Sequence, residues 1–265
     1  MTDKGLQYTE DYTTDFDPQS YLEIFEEPNP NTTRGLQTSL NLTAFHHAYA
    51  SGIIKGKTLL DIGTGPSILS LISAAKHCDN IFLSEFCPRN RELLKQWHHG
   101  SLKSHFEKSI EFVLKLEGKS DIDVPERATS IRDKILGILH CDIRNENPFS
   151  PNFLSSVDII TSSFCLETVA TDLASYEGCA RNVVGMLKPG GCLVMVGSLG
   201  GTYYTVGEKT FRCFGMSIDE LKSTWQKVGI EIISWYAVTR PEIEPEFTDI
   251  DGCYCMVGKK VPETL

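Results

Sequence analysis

From residue 58 onward the chain alternates short, continuously apolar runs with amphipathic ones. "TLLDIG" leads to "ILSLISAAK", "NIFLSEF" to "NRELLKQW", and "VDIITSSF" to "DLASYEGCARNVVGMLKPGG" and on to "CLVMVGSL". Apolar runs of strand length belong to strands buried on both faces, and helices between them make those strands parallel. Residues 100–137 are more polar and read as two helices around the loop "EGKSDIDVPE", followed by a strand in "GILHCDI". The helix before "CLVMVGSL" carries a Lys188-Pro189-Gly190-Gly191 stop, suited to a sharp turn into a strand. "TYYTVGEKTF" reads as an extended excursion. In "SIDELKSTWQKVG" Ser217 is the N-cap of a helix and Glu220 completes a capping box. "IEIISWYAV" and "CYCMVGKK" are strands too close for a crossover helix, hence antiparallel. Upstream, residues 1–34 are polar and punctuated by Pro18, Pro28 and Pro30, with one short helix expected around 20–26. Leu36, Leu40, Thr43, Ala44 and His47 recur at helical spacing and predict a helix over 35–51. No repeat or linker divides the chain, so one domain over 1–265 is expected, an N-terminal segment (1–51) preceding an α/β core (57–265).

Composition narrows the partners. Apolar residues at 41% and charged residues at 23% are ordinary for a globular chain long enough to bury a sizeable core. A net charge of −10 argues against nucleic acid, which needs a basic face, and leaves room for a small cation, which such a field attracts. No apolar run has the length of a membrane span, and "MTDKGLQYTEDYTTDFDP" is too polar for a signal peptide. A cytoplasmic chain is therefore expected. Cys141, Cys165 and Cys192 sit in apolar runs as reduced core residues, and alternation on one strand explains Cys253 and Cys255 better than metal binding. His46, His47, His98 and His99 read as exposed or half-buried helix residues.

"DIGTGPS" carries the chemistry. A strand running into a glycine turn brings backbone close to a ligand. A dinucleotide turn needs G-x-G-x-x-G; here Gly63 and Gly65 fit, but Pro66 follows and Ile68 stands at the third position. Glu85 ends the second strand, where a carboxylate can accept both hydroxyls of a ribose, and Asp142 ends the third, where it can accept from an adenine amino group. An acid at a strand end is also often a helix cap or simply solvated. With Asp61, three acids close three successive strands beside the glycine turn. That set holds an adenosine across the sheet edge without a pyrophosphate cradle, which points to S-adenosylmethionine as the cofactor.

"FDPQSYL", "DIGTGPS", "HCDI", "SSFCLETVATDLASY", "LKPGG" and "YYTVGEKTF" together resemble the nicotinamide, phenylethanolamine and indolethylamine N-methyltransferases, from residue 16 to 260. The resemblance implies a Rossmann-like class I methyltransferase fold: a seven-stranded, mostly parallel sheet ending in an antiparallel hairpin, with an N-terminal helical lid. It implies that Tyr12 and Tyr21 reach the methionyl carboxylate of the cofactor, and that Gly63, Thr64 and Gly65 face the same end. Asp61 is assigned to cofactor binding or to the turn that supports it, Glu85 holds the ribose beside Phe86 and Asn90, Asp142 and Ile143 meet the adenine, and Ser163 lies near the sulfonium. Glu167 is the implied catalytic residue, a carboxylate that helps an amine lose its proton. Phe25, Phe164, Gly197, Ser198 and Tyr204 join it around a small-molecule acceptor, and a monomer is expected.

The chain also departs from the pattern. Gly197 stands where the nicotinamide enzyme has an aspartate, "SLGGTYY" lacks the second glutamate of the phenylethanolamine enzyme, and Glu26 replaces a lid tyrosine. Gly197, Gly200 and Gly201 are read as leaving space for a different or bulkier acceptor. Asp249 and Asp251 fall where relatives bring a loop to the substrate, and equally suit a solvated turn. The expected reaction is transfer of a methyl group to a small amine or aromatic nitrogen. A sulfur or selenium acceptor, which needs no base, and a non-catalytic cofactor-binding relative are the alternatives. A dehydrogenase is disfavoured by Pro66 and Ile68, and a serine hydrolase by the missing G-x-S-x-G around Ser198.

Overall fold

Apolar strands packed side by side need cover on both faces, and this chain supplies it with helices before, between and after them. The computed structural model describes residues 5–24, 27–29, 31–102, 105–119, 123–152, 154–239 and 247–262. Strand β1 (Leu6–Gln7) and a 3-10 helix (Thr9–Thr13) lead into α1 (Pro18–Ile24) and α2 (Thr33–Ala50). Then follow β2 (Thr58–Ile62), α3 (Leu71–Ala74), β3 (Asn80–Glu85), α4 (Pro88–His98), α5 (Glu107–Leu116), α6 (Val124–Lys134) and β4 (Ile135–His140). Strand β5 (Val157–Ser163) is succeeded by α7 (Leu166–Val169), α8 (Leu173–Gly185) and β6 (Leu187–Leu199). The chain closes with β7 (Tyr203–Val206), β8 (Lys209–Arg212), α9 (Ile218–Lys227), β9 (Ile230–Thr239) and β10 (Gly252–Lys260).

Seven strands form one sheet in the order β4-β3-β2-β5-β6-β10-β9, with β10 antiparallel to both neighbours. This is the seven-stranded, mostly parallel sheet with an antiparallel C-terminal pair that the sequence predicts. Side chains alternate across it. Leu59, Ile81 and Val194 pack on one face in a core with α2, α3 and α5, while Leu60, Ile160 and Met195 face a second core with α8 and α9. A third, smaller cluster around Phe16, Val206 and Phe211 joins the N-terminal segment to the β7–β8 hairpin. There β1 adds a parallel strand to β8 through Leu6↔Thr210 and Gln7↔Phe211. The expected excursion is therefore a hairpin that anchors the start of the chain. Among the described residues, no helix is long and apolar enough to cross a membrane.

Four local expectations change. The run "ILSLISAAK" is helical only over α3, because Asp79 and Asn80 must return their N–H groups to Lys57 O at 2.8 and 2.9 Å. Helix α2 buries Thr38, Leu42, Phe45 and Tyr49 rather than the face through Leu36, Leu40 and His47. Its buried hydroxyls are satisfied within the helix, Thr38 donating to Arg34 O at 3.2 Å and Ser39 to Gly35 O at 2.7 Å. Helix α8 ends at Gly185, before the Lys-Pro-Gly-Gly stop. That stretch instead interrupts β6, whose pairing shifts from Val157↔Leu187 to Ile159↔Cys192. The strand in "GILHCDI" stops at His140, so Asp142 lies in the turn beyond it.

Candidate active site

Strands β2 and β5 are neighbours whose onward connections run to opposite sides of the sheet, and such a switch point opens a crevice at the carboxyl ends. The glycine turn closes β2 there. Gly63 and Gly65 have φ of 65° and 64°, a region that L side chains rarely enter. A β-carbon on Gly63 would strike the Cys165 side chain, whereas one on Gly65 would meet nothing within 4 Å, because it faces the crevice. Thr64 turns away, its N–H on Ser84 O at 3.1 Å and its hydroxyl 3.4 Å from Asp61 O.

Glu85 and the glycine turn are one unit. The Glu85 carboxylate accepts from Gly65 N–H at 2.8 Å, Cys87 N–H at 2.7 Å and the Asn90 amide at 3.2 Å. Burial pushes its pKa above the ordinary carboxylate value even against those donors. With about four acceptor positions on a carboxylate, one remains for a ligand hydroxyl. Asp142 is gripped by Arg144 at 2.8 and 2.9 Å and accepts the Arg144 N–H at 3.1 Å. Burial works to raise its pKa, but Arg144 outweighs burial and the net shift is downward. Arg144 also lies 5.4 Å over the Phe86 ring and pairs with Glu10 of the 3-10 helix, tying the N-terminal segment to the crevice. Asp61 is fully enclosed, and burial raises its pKa to about 7 despite the Thr64 and Ser70 hydroxyls.

The crevice encloses about 700 Å³, open to solvent, and ten of the twelve residues assigned to the cofactor line it. The exceptions are Asp61, which sits beneath the turn, and Thr64. Tyr12 and Tyr21 reach it from the N-terminal segment together with Phe16 and Thr9, which the sequence reading missed.

A second cavity of about 720 Å³ adjoins it, the two sharing Tyr21, Phe164, Thr168 and Tyr204. Phe164 has φ of 50°, the one non-glycine residue in the left-handed region among those described, which is backbone strain held at the shared wall. Tyr204 is fixed by a hydroxyl–hydroxyl contact to Tyr12 and by stacking on Phe211, with ring centroids 5.5 Å apart. Glu167 and Ser198 line this cavity alone. Glu167 Oε1 accepts from Ser198 N–H at 2.9 Å and the Ser198 hydroxyl at 3.3 Å. Burial pushes the Glu167 pKa up, with Ser198 restraining the shift. Both Ser198 hydrogen bonds fall on Oε1, which leaves Oε2 for a ligand in the cavity that Glu167 lines.

Gly197, near the end of β6, and Gly200 and Gly201 after it do not enlarge this cavity. A β-carbon on Gly197 would stand 2.8 Å from the Tyr254 ring and 3.0 Å from Glu167 Oε1, so the missing side chain is what lets Glu167 fold against the sheet. Gly200 and Gly201, with φ of 59° and 83°, make room for Asp251 and Ile250 of this chain. Asp249 accepts from Thr202 N–H at 2.6 Å and Tyr203 N–H at 3.1 Å, pinning its own loop rather than entering either cavity. Phe25 and Glu26 lie outside the described residues. The sequence reading missed Arg34, Gln37 and Cys213 as walls of the second cavity, and it looked to Asp249 and Asp251 in a loop that reaches the cavity through Phe247, Thr248 and Ile250. Arg34, Gln37 and Asn41, at i, i+3 and i+7 on α2, were the available signal: a polar stripe on a helix whose next turns are buried.

The NNMT/PNMT/TEMT family model matches residues 4–261. The chain is 30% identical to indolethylamine N-methyltransferase of Oryctolagus cuniculus, over 86% of this chain and 87% of the relative. It is 25% identical to nicotinamide N-methyltransferase of Homo sapiens, over 99% of this chain and 100% of the relative. Among solved structures, magnesium protoporphyrin IX methyltransferase from Synechocystis PCC 6803 with bound SAM superposes with a TM-score of 0.58 at 9% identity, covering 94% of each chain, a likeness of fold.

Proposed function

The chain belongs to the NNMT/PNMT/TEMT family of S-adenosylmethionine-dependent N-methyltransferases of small amines, and from that premise we propose that the second cavity receives the amine, with Glu167 as its proton acceptor. The first crevice suits the cofactor. Glu85 offers an acceptor position, Phe86 and Ile143 offer apolar surface for a base, and Gly65 leaves open the space that a side chain would take. Tyr12, Tyr21 and Ser163 would hold the opposite end. Bound S-adenosylmethionine supplies a methyl group made electrophilic by its sulfonium.

The chain's own residues do the rest. Tyr21, Phe164, Thr168 and Tyr204 stand between the two ligands and set the line of approach of the nitrogen. An ammonium ion has no lone pair to donate, so the acceptor must react as the free amine. Burial makes Glu167 a stronger base than an exposed carboxylate, while Ser198 fixes its position. Its Oε2 takes the proton from nitrogen. The observation that carries this reading is a buried carboxylate in a cavity that shares a wall with the cofactor crevice.

The test is calorimetric titration with S-adenosylhomocysteine, followed by a labelled-methyl screen over amines, pyridines and thioethers. Binding plus turnover on amines or pyridines is the expected result. Turnover on thioethers alone would overturn the role given to Glu167. We read the chain as a cytosolic monomer, which light scattering and fractionation decide.

A further inference from the structure

Besides Glu167, one other charged side chain lines the second cavity among the described residues: Arg34, from the first turn of α2. It is half-buried, and its guanidinium lies 5.2 Å from the centroid of the Phe247 ring. No hydrogen bond or ion pair among the described residues engages that guanidinium, and it forms none with Glu167. Other arginines of the chain are committed: Arg127 to Glu117 at 2.6 Å, Arg144 to Asp142 at 2.8 Å, Arg181 to Glu177 at 2.6 Å. Its neighbour Gln37 has its amide nitrogen engaged by Asn41 Oδ1 at 3.1 Å and Cys253 Sγ at 3.0 Å, so it supplies no competing donor. A half-buried guanidinium whose donors are unengaged among the described residues matches a carboxylate in geometry and charge.

Resting on the amine reading of the same cavity, we propose that the methyl acceptor is an aromatic amine bearing a carboxylate, its nitrogen at Glu167 and its carboxylate at Arg34. The aromatic side chains of Phe164, Tyr204 and Phe247 flank the ring between the two charges. Arg34 is then a specificity residue. It repels a second cationic group, which the chain's net charge of −10 would otherwise draw in.

Two amines that differ only in the carboxylate test this: 4-(aminomethyl)benzoate and benzylamine, each with S-adenosylmethionine. The wild-type ratio of kcat/KM should favour the carboxylate by about tenfold or more, the scale of one charge-assisted hydrogen bond. In Arg34→Gln the ratio should fall to about one, with Arg34→Lys between. Any general loss in the variants cancels in the ratio. A wild-type ratio of one or less, or a preference that survives Arg34→Gln, overturns the proposal. If neither amine turns over, the wider amine and pyridine screen decides the amine reading, and calorimetry with 4-methylbenzoate on the S-adenosylhomocysteine-loaded protein still decides Arg34. Wild type should then bind about tenfold more tightly than Arg34→Gln; equal affinity sinks the inference.

Discussion

Two buried carboxylates, Glu167 and Asp61, share a cause and differ in consequence. Burial raises both pKa values. Glu167 faces a cavity, so its basicity reaches a ligand; Asp61 lies under the glycine turn and lines neither cavity. Glu167→Gln keeps the Ser198 contact through its amide oxygen but cannot take a proton. It should lower kcat on amines by about a hundredfold or more, with S-adenosylhomocysteine affinity unchanged by calorimetry. Equal losses in both would mean that Glu167 shapes the crevice instead. For Asp61 the sign follows from a rise from 3.8 to about 7. The folded chain keeps a proton that the unfolded chain releases above pH 3.8, so this carboxyl's stabilisation is complete below that pH and lost as pH rises through about 7. Asp61→Asn should therefore flatten the decline in Tm between pH 5 and pH 8, read by thermal melts. A slope as steep as that of wild type would place the titration elsewhere.

At the scale of elements, the glycine turn shows how much could be read from sequence. That "DIGTGPS" and Glu85 come to the crevice was legible because both close strands, and strand ends follow from apolar runs, whereas Asp142 reaches it from the turn beyond β4. Gly197, Gly200 and Gly201 were misread as space, since a sequence shows that a side chain is missing but not what fills its place. Arg34 went unseen for a related reason: which face of α2 is buried was assigned from Leu36, Leu40 and His47, and tertiary packing chose the face through Thr38 and Leu42. The two turn glycines separate these effects in one experiment. Gly65→Ala imposes a left-handed alanine but no collision, so melting should fall modestly while S-adenosylhomocysteine affinity drops by about tenfold or more. Gly63→Ala drives a β-carbon into Cys165 and should cost stability first, with a much larger fall in Tm. Wild-type affinity in Gly65→Ala would remove the cofactor from that space.

Over the whole molecule, the sheet is a rigid floor and the N-terminal segment is a cover joined to it by few contacts. Large cores hold both faces of the sheet, and Leu22 of α1 joins one of them. The rest of the cover rests on the small cluster around Phe16 and Phe211, a two-residue strand pairing, the Tyr12–Tyr204, Glu10–Arg144 and Asp15–Lys209 contacts, and hydrogen bonds from Thr9 to Thr168 O and from Cys87 to Tyr12 O. Regions with few buried apolar contacts open at lower free energy than the core. Yet Tyr12, Phe16 and Tyr21 form part of the cofactor crevice, and Tyr21 also borders the acceptor cavity. If the segment opens in solution, its closing completes both sites at once, and a ligand that binds only the closed form holds it shut. Hydrogen exchange reads this directly. In the free protein, amides over residues 5–24 should exchange much faster than those of β2, β5 and β6. S-adenosylhomocysteine should then slow the cover while leaving the central strands nearly unchanged. If residues 5–24 were already as protected as the central strands, and saturating ligand changed neither, the cover would be a fixed wall, and both ligands would have to enter past the 247–250 loop.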